Sequence, residues 1–65
     1  MKRVDLVRRV EEEGAAFVRH GSSHDMYRNV ITGVIEMIPR HREIDEMLAR
    51  KIIRRLSSPQ SSSNG

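Results

Sequence analysis

His20 and His24 flank a Gly21-Ser22-Ser23 turn, with Arg19 just before it and Arg28 a few residues beyond. An imidazole, with an unperturbed pKa of about 6.5, accepts and returns protons near neutral pH without help from a metal. His24 directly follows the flexible turn, where the Ser22 and Ser23 hydroxyls can hydrogen-bond an anion. Arg19 and Arg28, placed on adjacent strands, would offer forked donors to phosphate oxygens. A base for a hydroxyl and cations for developing charge are what cleavage of a phosphodiester by its own 2′-hydroxyl requires. The plainer account is that His24 opens a strand, bonds a backbone carbonyl and meets no substrate. The residues alone leave both accounts open.

Other chemistries fit less well. His20 and His41 read as surface residues near turns. His20 and His24 are four apart, a spacing that would align metal ligands on a helix, but Gly21 breaks any helix between them, so no metal site is expected. No spacing ties an acid to a serine and histidine as in a nucleophilic triad, and Gly21 and Gly33 do not form a phosphate-cradling loop. Phe17 and Tyr27 are too few for base stacking to supply most of the affinity for a single strand.

The elements that must position these groups follow from the apolar spacing. Leu6, Val7 and Val10 recur at three and four, predicting a helix over residues 4–13 that Gly14 ends. Residues 15–20 lack a helical period and lead into the Gly/Ser cluster, so strand, turn and strand are expected, the second strand over 24–29. Alternation puts His24, Met26 and Arg28 on one face and Asp25, Tyr27 and Asn29 on the other, without deciding which is buried. Thr32-Gly33 supplies a turn, and residues 34–38 read as a third, mostly buried strand ended by Pro39. The segment from Pro39 to Arg42 is a basic connection.

Asp45 is a fair N-cap for a last helix whose stripe is Leu48, Ala49, Ile52, Ile53 and Leu56. Arg50, Lys51, Arg54 and Arg55 occupy its remaining arc, either as a solvated surface complementing the helix dipole or as a diffuse polyanion contact. Met47 stands opposite the stripe, as a partner contact would. The order predicts an α+β domain, α-β-β-β-α, with two helices on one face of a three-stranded antiparallel sheet and the other face open. Residues 57–65, rich in serine and without charge or large apolar side chains, are expected to be a disordered tail.

Composition sets the outer bounds. Sixty-five residues make at most one domain with a small core, and the absence of cysteine removes any disulfide or thiolate prop. Charges at Lys2, Arg3 and Asp5 do not fit a signal peptide, and no segment is apolar enough to cross a membrane, so a cytoplasmic protein is expected. Twelve basic against nine acidic residues give a formal charge of +3, which suits polyanionic partners and equally a solubilising surface.

Taken together, Phe17-Val18-Arg19-His20-Gly21-Ser22-Ser23-His24-Asp25-Met26-Tyr27-Arg28, then Thr32-Gly33, then Ile38-Pro39-Arg40-His41-Arg42-Glu43-Ile44 and the last helix, resemble the HicA toxin family of toxin–antitoxin systems. The resemblance covers residues 4–56 and rests on the Gly/Ser turn into His-x-x-Tyr with the later Pro-Arg-His-x-Glu-Ile. It implies a fold similar to a double-stranded RNA-binding domain, an endoribonuclease (mRNA interferase) acting on mRNA without the ribosome, and neutralisation by a HicB-type antitoxin. The family's catalytic histidine maps onto His24. On that footing His24 is the expected general base, with no metal or other cofactor. Arg19, Ser22, Ser23, Arg28 and Arg40 are expected phosphate-binding groups, Arg50, Lys51 and Arg54 hold RNA more diffusely, and Tyr27 is a possible base contact. The chain departs from the family at Ser22, where many members have glycine, and at Met47-Leu48, where a small pair is common. The competing reading is a double-stranded RNA-binding or protein-interaction module without catalysis.

Overall fold

Leu6 and Val10, one helical turn apart on one side of α1 (Arg3–Glu12), are both sealed from solvent. In a computed structural model that describes residues 1–57, α1 is followed by β1 (Ala15–His20), β2 (His24–Asn29), β3 (Ile35–Pro39) and α2 (Glu46–Leu56). The expected α-β-β-β-α order is therefore the observed one. The strands form an antiparallel meander in the order β1-β2-β3, and the helices cover one of its faces.

Local chemistry explains the boundaries. Gly14 takes a φ of +105°, which lets the chain leave α1 and enter β1 at once, where a side chain would be strained. The Asp45 carboxylate accepts the Leu48 amide at 3.2 Å, so α2 begins where an N-cap residue stands, whatever follows at Met47-Leu48. Ala49, Ile52 and Leu56 then face the sheet while Met47 points into solvent. Ser57 closes α2 through its hydroxyl, which donates to the Ile53 carbonyl at 2.5 Å, and so belongs to the domain. The rest of the expected tail, from residue 58, lies outside the described residues. Among those described, no helix is long and apolar enough to cross a membrane.

The covered face of the sheet is drawn from alternate positions: Ala15 on β1, Asp25, Tyr27 and Asn29 on β2, and Ile38 on β3. The choice left open by the alternation of β2 is thus decided. Tyr27 is 6% exposed and lies in the core, so it is not placed to contact a base from the open face. Burial pushes its phenol above the ordinary value. The third strand departs from expectation: it runs one residue later than 34–38, and Ile35 and Met37, 47% and 41% exposed, face the open side. A continuous apolar run suggests burial on both faces, but here only one face has helices to cover it.

Asn29 is the joint of the domain. It is wholly buried, and its Nδ2 donates to the Glu13 carbonyl (2.9 Å) at the end of α1 and to the Leu56 carbonyl (2.6 Å) at the end of α2. Its Oδ1 accepts the amides of Ile31 (2.8 Å) and Thr32 (3.0 Å) in the β2–β3 turn. One side chain therefore satisfies carbonyls that both helix ends leave without intrahelical partners, and orders the turn as well.

Candidate functional site

The register of the sheet decides which candidate groups meet. On the open face, β2 presents His24, Met26 and Arg28, and Arg19 of β1 pairs with Met26. A bulge at Val18 restores Arg19 to this face; without the extra residue, strict alternation from Ala16 would not place it there. Arg19 thus lies on the same face as His24, diagonally opposite it and two positions along the pairing. Arg28, four residues along β2, stands about 13 Å from His24 at the usual rise of a strand. It suits a neighbouring phosphate. His24 is exposed, and its Nδ1 contacts the Ser23 hydroxyl at 3.0 Å. Met26, Met37 and Ile35 form a partly apolar floor between these polar groups.

The turn that carries His24 is tight. The Gly21 amide donates to the His24 carbonyl at 2.6 Å, and a Cβ on Gly21 would lie 2.8 Å from that carbonyl oxygen. Only glycine allows this approach, because the obstructing atom is backbone and cannot swing away. Gly21→Ala is expected to cost about 1–3 kcal/mol, the usual range for forcing atoms into an occupied space. Urea unfolding followed by circular dichroism would show the midpoint falling; an unchanged midpoint would mean the turn is loose.

Arg40, an expected phosphate-binding group, has a structural role in the turn. Its guanidinium donates to the Ser22 carbonyl (2.5 Å), the His24 carbonyl (3.2 Å) and Asp25 Oδ1 (2.8 Å), so it fastens the turn to the start of the connection after β3. Ser22 and Ser23 are exposed at the tip. Arg50, Lys51 and Arg54 are exposed on α2, which packs on the covered side, so the sheet stands between them and His24. Arg50 also faces Glu46 at 3.5 Å. One nucleotide at His24 cannot reach both surfaces.

Sequence reasoning missed the carboxylate beneath the turn. Asp25 is buried, and its Oδ1 contacts both Arg40 and His20 Nδ1 (2.8 Å each), while Oδ2 accepts from Arg3 Nη2 at 2.6 Å. Arg3 Nε also donates to the Pro39 carbonyl at 2.8 Å. His20, read as a surface residue, is indeed 72% exposed, yet it is tied to Asp25 and rests against Phe17 with ring centroids 4.8 Å apart. A carboxylate only accepts, so Nδ1 of His20 donates and its Nε2 faces outward. The one signal for this cluster was the acidic residue amid arginines at a strand start. Among the described residues, no group of three or more His, Cys, Asp or Glu side chains is arranged to hold a metal ion.

The His20 hydrogen bond and the Arg40 guanidinium hold the Asp25 carboxyl below the usual carboxylate range, against the opposing effect of burial. Because its pKa is lower folded than unfolded, its contribution to stability is present above the unfolded value and is lost as pH falls through the folded one. Denaturation midpoints measured from neutral pH downward should therefore drop through the acid carboxylate range, and Asp25→Asn should be weaker at neutral pH with a flatter acid limb. An acid limb of unchanged steepness in that variant would refute the linkage. No family model, curated protein or solved structure matches the chain.

Proposed function

We propose that this protein is the toxin component of a toxin–antitoxin pair, a metal-independent endoribonuclease that cleaves mRNA without the ribosome. His24 is the general base toward a 2′-hydroxyl. The observation that carries this reading is the placement of an exposed imidazole on the open sheet face with Arg19 on the same face two pairing positions away and Arg28 further along. The resemblance of the 17–28 and 38–44 segments to the HicA family supports the same assignment. His24 takes the 2′-hydroxyl proton, the 2′-oxygen attacks phosphorus, and the P–O5′ bond breaks with solvent water protonating the departing 5′-oxygen, leaving a 2′,3′-cyclic phosphate and a 5′-hydroxyl. Arg19 answers the charge that develops on the phosphoryl oxygens, Arg28 holds an adjacent phosphate, and the Ser22 and Ser23 hydroxyls bond the anion at the tip. Serine at position 22, where the family often has glycine, still leaves the turn closed, because Gly21 supplies the close approach. The basic face of α2 can add only a distant electrostatic pull.

Neutralisation would come from a HicB-type antitoxin competing for the cations and the apolar floor of the same face, in the cytoplasm where its mRNA substrate lies. End-labelled RNA incubated with the purified protein and excess EDTA tests the activity. Fragments ending in cyclic phosphate are expected. RNA retained intact but bound would identify a binding module instead, a reading the fold and charge also accommodate.

A further inference from the structure

A second basic surface lies around the corner from the open face. Between the start of α1 and the segment after β3 is a groove of about 680 Å³, lined by Lys2, Arg3, Arg40 and Arg42 with Val4 and Val7 as its apolar wall. Glu43 supplies its one carboxylate. The groove is built by main-chain pairing: Lys2 bridges Glu43, the Arg3 amide donates to the Arg42 carbonyl at 2.9 Å, and the Ile44 amide to the Met1 carbonyl at 2.7 Å. Its walls are therefore fixed before anything binds.

The four cations are not equivalent. Arg3 and Arg40 are committed to buried Asp25, so their charge is partly spent inside the fold. The charge left for a ligand rests on Lys2 and Arg42, both exposed. Arg40 also lines the groove while its guanidinium donates to the carbonyls of Ser22 and His24, so the groove opens beside the turn that carries the proposed base. By contrast, Arg50, Lys51 and Arg54 have no such continuity with the turn.

We infer that this groove holds the phosphodiester backbone of the RNA strand next to the scissile bond, with Lys2 and Arg42 as its phosphate contacts and Val4 and Val7 as the wall against sugars and bases. The inference rests on the reading of His24 as an RNA-cleaving base and assigns the flanking contacts to this groove instead of α2. Guanidinium and ammonium groups beside an aliphatic surface suit a flexible single strand, whose charge and apolar base faces can be met together.

The test uses a short, fluorescein-labelled single-stranded 2′-O-methyl RNA, which lacks the nucleophile and so cannot be cleaved, with binding followed by anisotropy across a salt series. Lys2→Ala with Arg42→Ala is expected to weaken binding about tenfold at low salt and to lower the slope of log K against log salt by about 1.4, the value for two lost phosphate contacts on a single strand. Alanine at Arg50, Lys51 and Arg54 together should leave that slope nearly unchanged. Lys2→Arg with Arg42→Lys keeps both charges and should restore binding, which separates charge from any structural damage. An unchanged slope in the double alanine variant, with binding still lost on changing Arg19 and Arg28, would overturn the groove while leaving the cleavage reading intact. A parent protein that binds no RNA but captures an acidic peptide would overturn both.

Discussion

If the proposed activity is correct, replacing His24 with glutamine is expected to lower the rate of RNA cleavage by about 10²–10⁴-fold, the usual contribution of a positioned proton-transfer group. Glutamine keeps a polar amide that can still meet the Ser23 hydroxyl, and the side chain is exposed, so the fold should be unaffected. What it removes is the imidazole proposed to take the proton. The control is His20→Gln. His20 stands on the other face, tied to Asp25 beside Phe17, and glutamine can still donate to that carboxylate. Its rate should stay close to that of the parent. The contest is a fair one, because His20 has the carboxylate partner that commonly orients a catalytic imidazole, whereas His24 has only a serine. If His20→Gln were inactive and His24→Gln still cleaved, the base would be the imidazole set by Asp25 and the assignment to His24 would be wrong. Single-turnover rates with labelled RNA, alongside thermal melts of each variant, decide between them.

Changing Asn29 to leucine, of similar size, should leave most of the protein unfolded at room temperature. Four hydrogen bonds disappear, those from the Asn29 side chain to the carbonyls of Glu13 and Leu56 and to it from the amides of Ile31 and Thr32. Net values of about 0.5–1.5 kcal/mol per bond, with a further penalty at the buried Leu56 carbonyl, put the loss at about 3–5 kcal/mol. A core of this size rarely supplies more than about 3–5 kcal/mol in total. Asn29→Asp retains the acceptor but sets a carboxylate against two carbonyl oxygens, and should be destabilised as well. Loss of the cooperative far-ultraviolet melt, or its displacement to much lower temperature, is the expected result. A leucine variant that melts within a few degrees of the parent would show that water replaces Asn29 at both helix ends.

These two positions mark different degrees of legibility. The place of His24 at the start of β2, after a Gly/Ser turn, was readable because the turn residues are properties of a local string. Asn29 was not, since an asparagine at the end of a strand looks like any turn residue, and its partners at 13 and 56 are far away along the chain. Asp25 and His20 were obscure for the same reason: the carboxylate is satisfied by Arg3 of α1, Arg40 of the β3–α2 connection and His20 of β1, three segments that meet only in the folded chain. Arg40 shows a further limit of local reading. Its charge suggested a phosphate contact, while nothing nearby in sequence showed that its guanidinium also holds the turn. Arg50, Lys51 and Arg54 were correctly placed on an exposed helix arc, yet nothing local could reveal that this arc and His24 lie on opposite sides of the sheet.

Periodicity, turn residues and capping groups act within a few residues of where they stand, so the order of helices and strands, the N-cap at Asp45 and the turn before His24 were determined by the sequence alone. Which face of β2 is buried, the bulge that puts Arg19 on the same face as His24, the buried carboxylate beneath the hairpin and the groove between α1 and residues 40–43 were decided only in the tertiary structure. Each depends on segments brought together by burying one small core, a balance of surfaces summed over the whole chain and written in no single stretch of it.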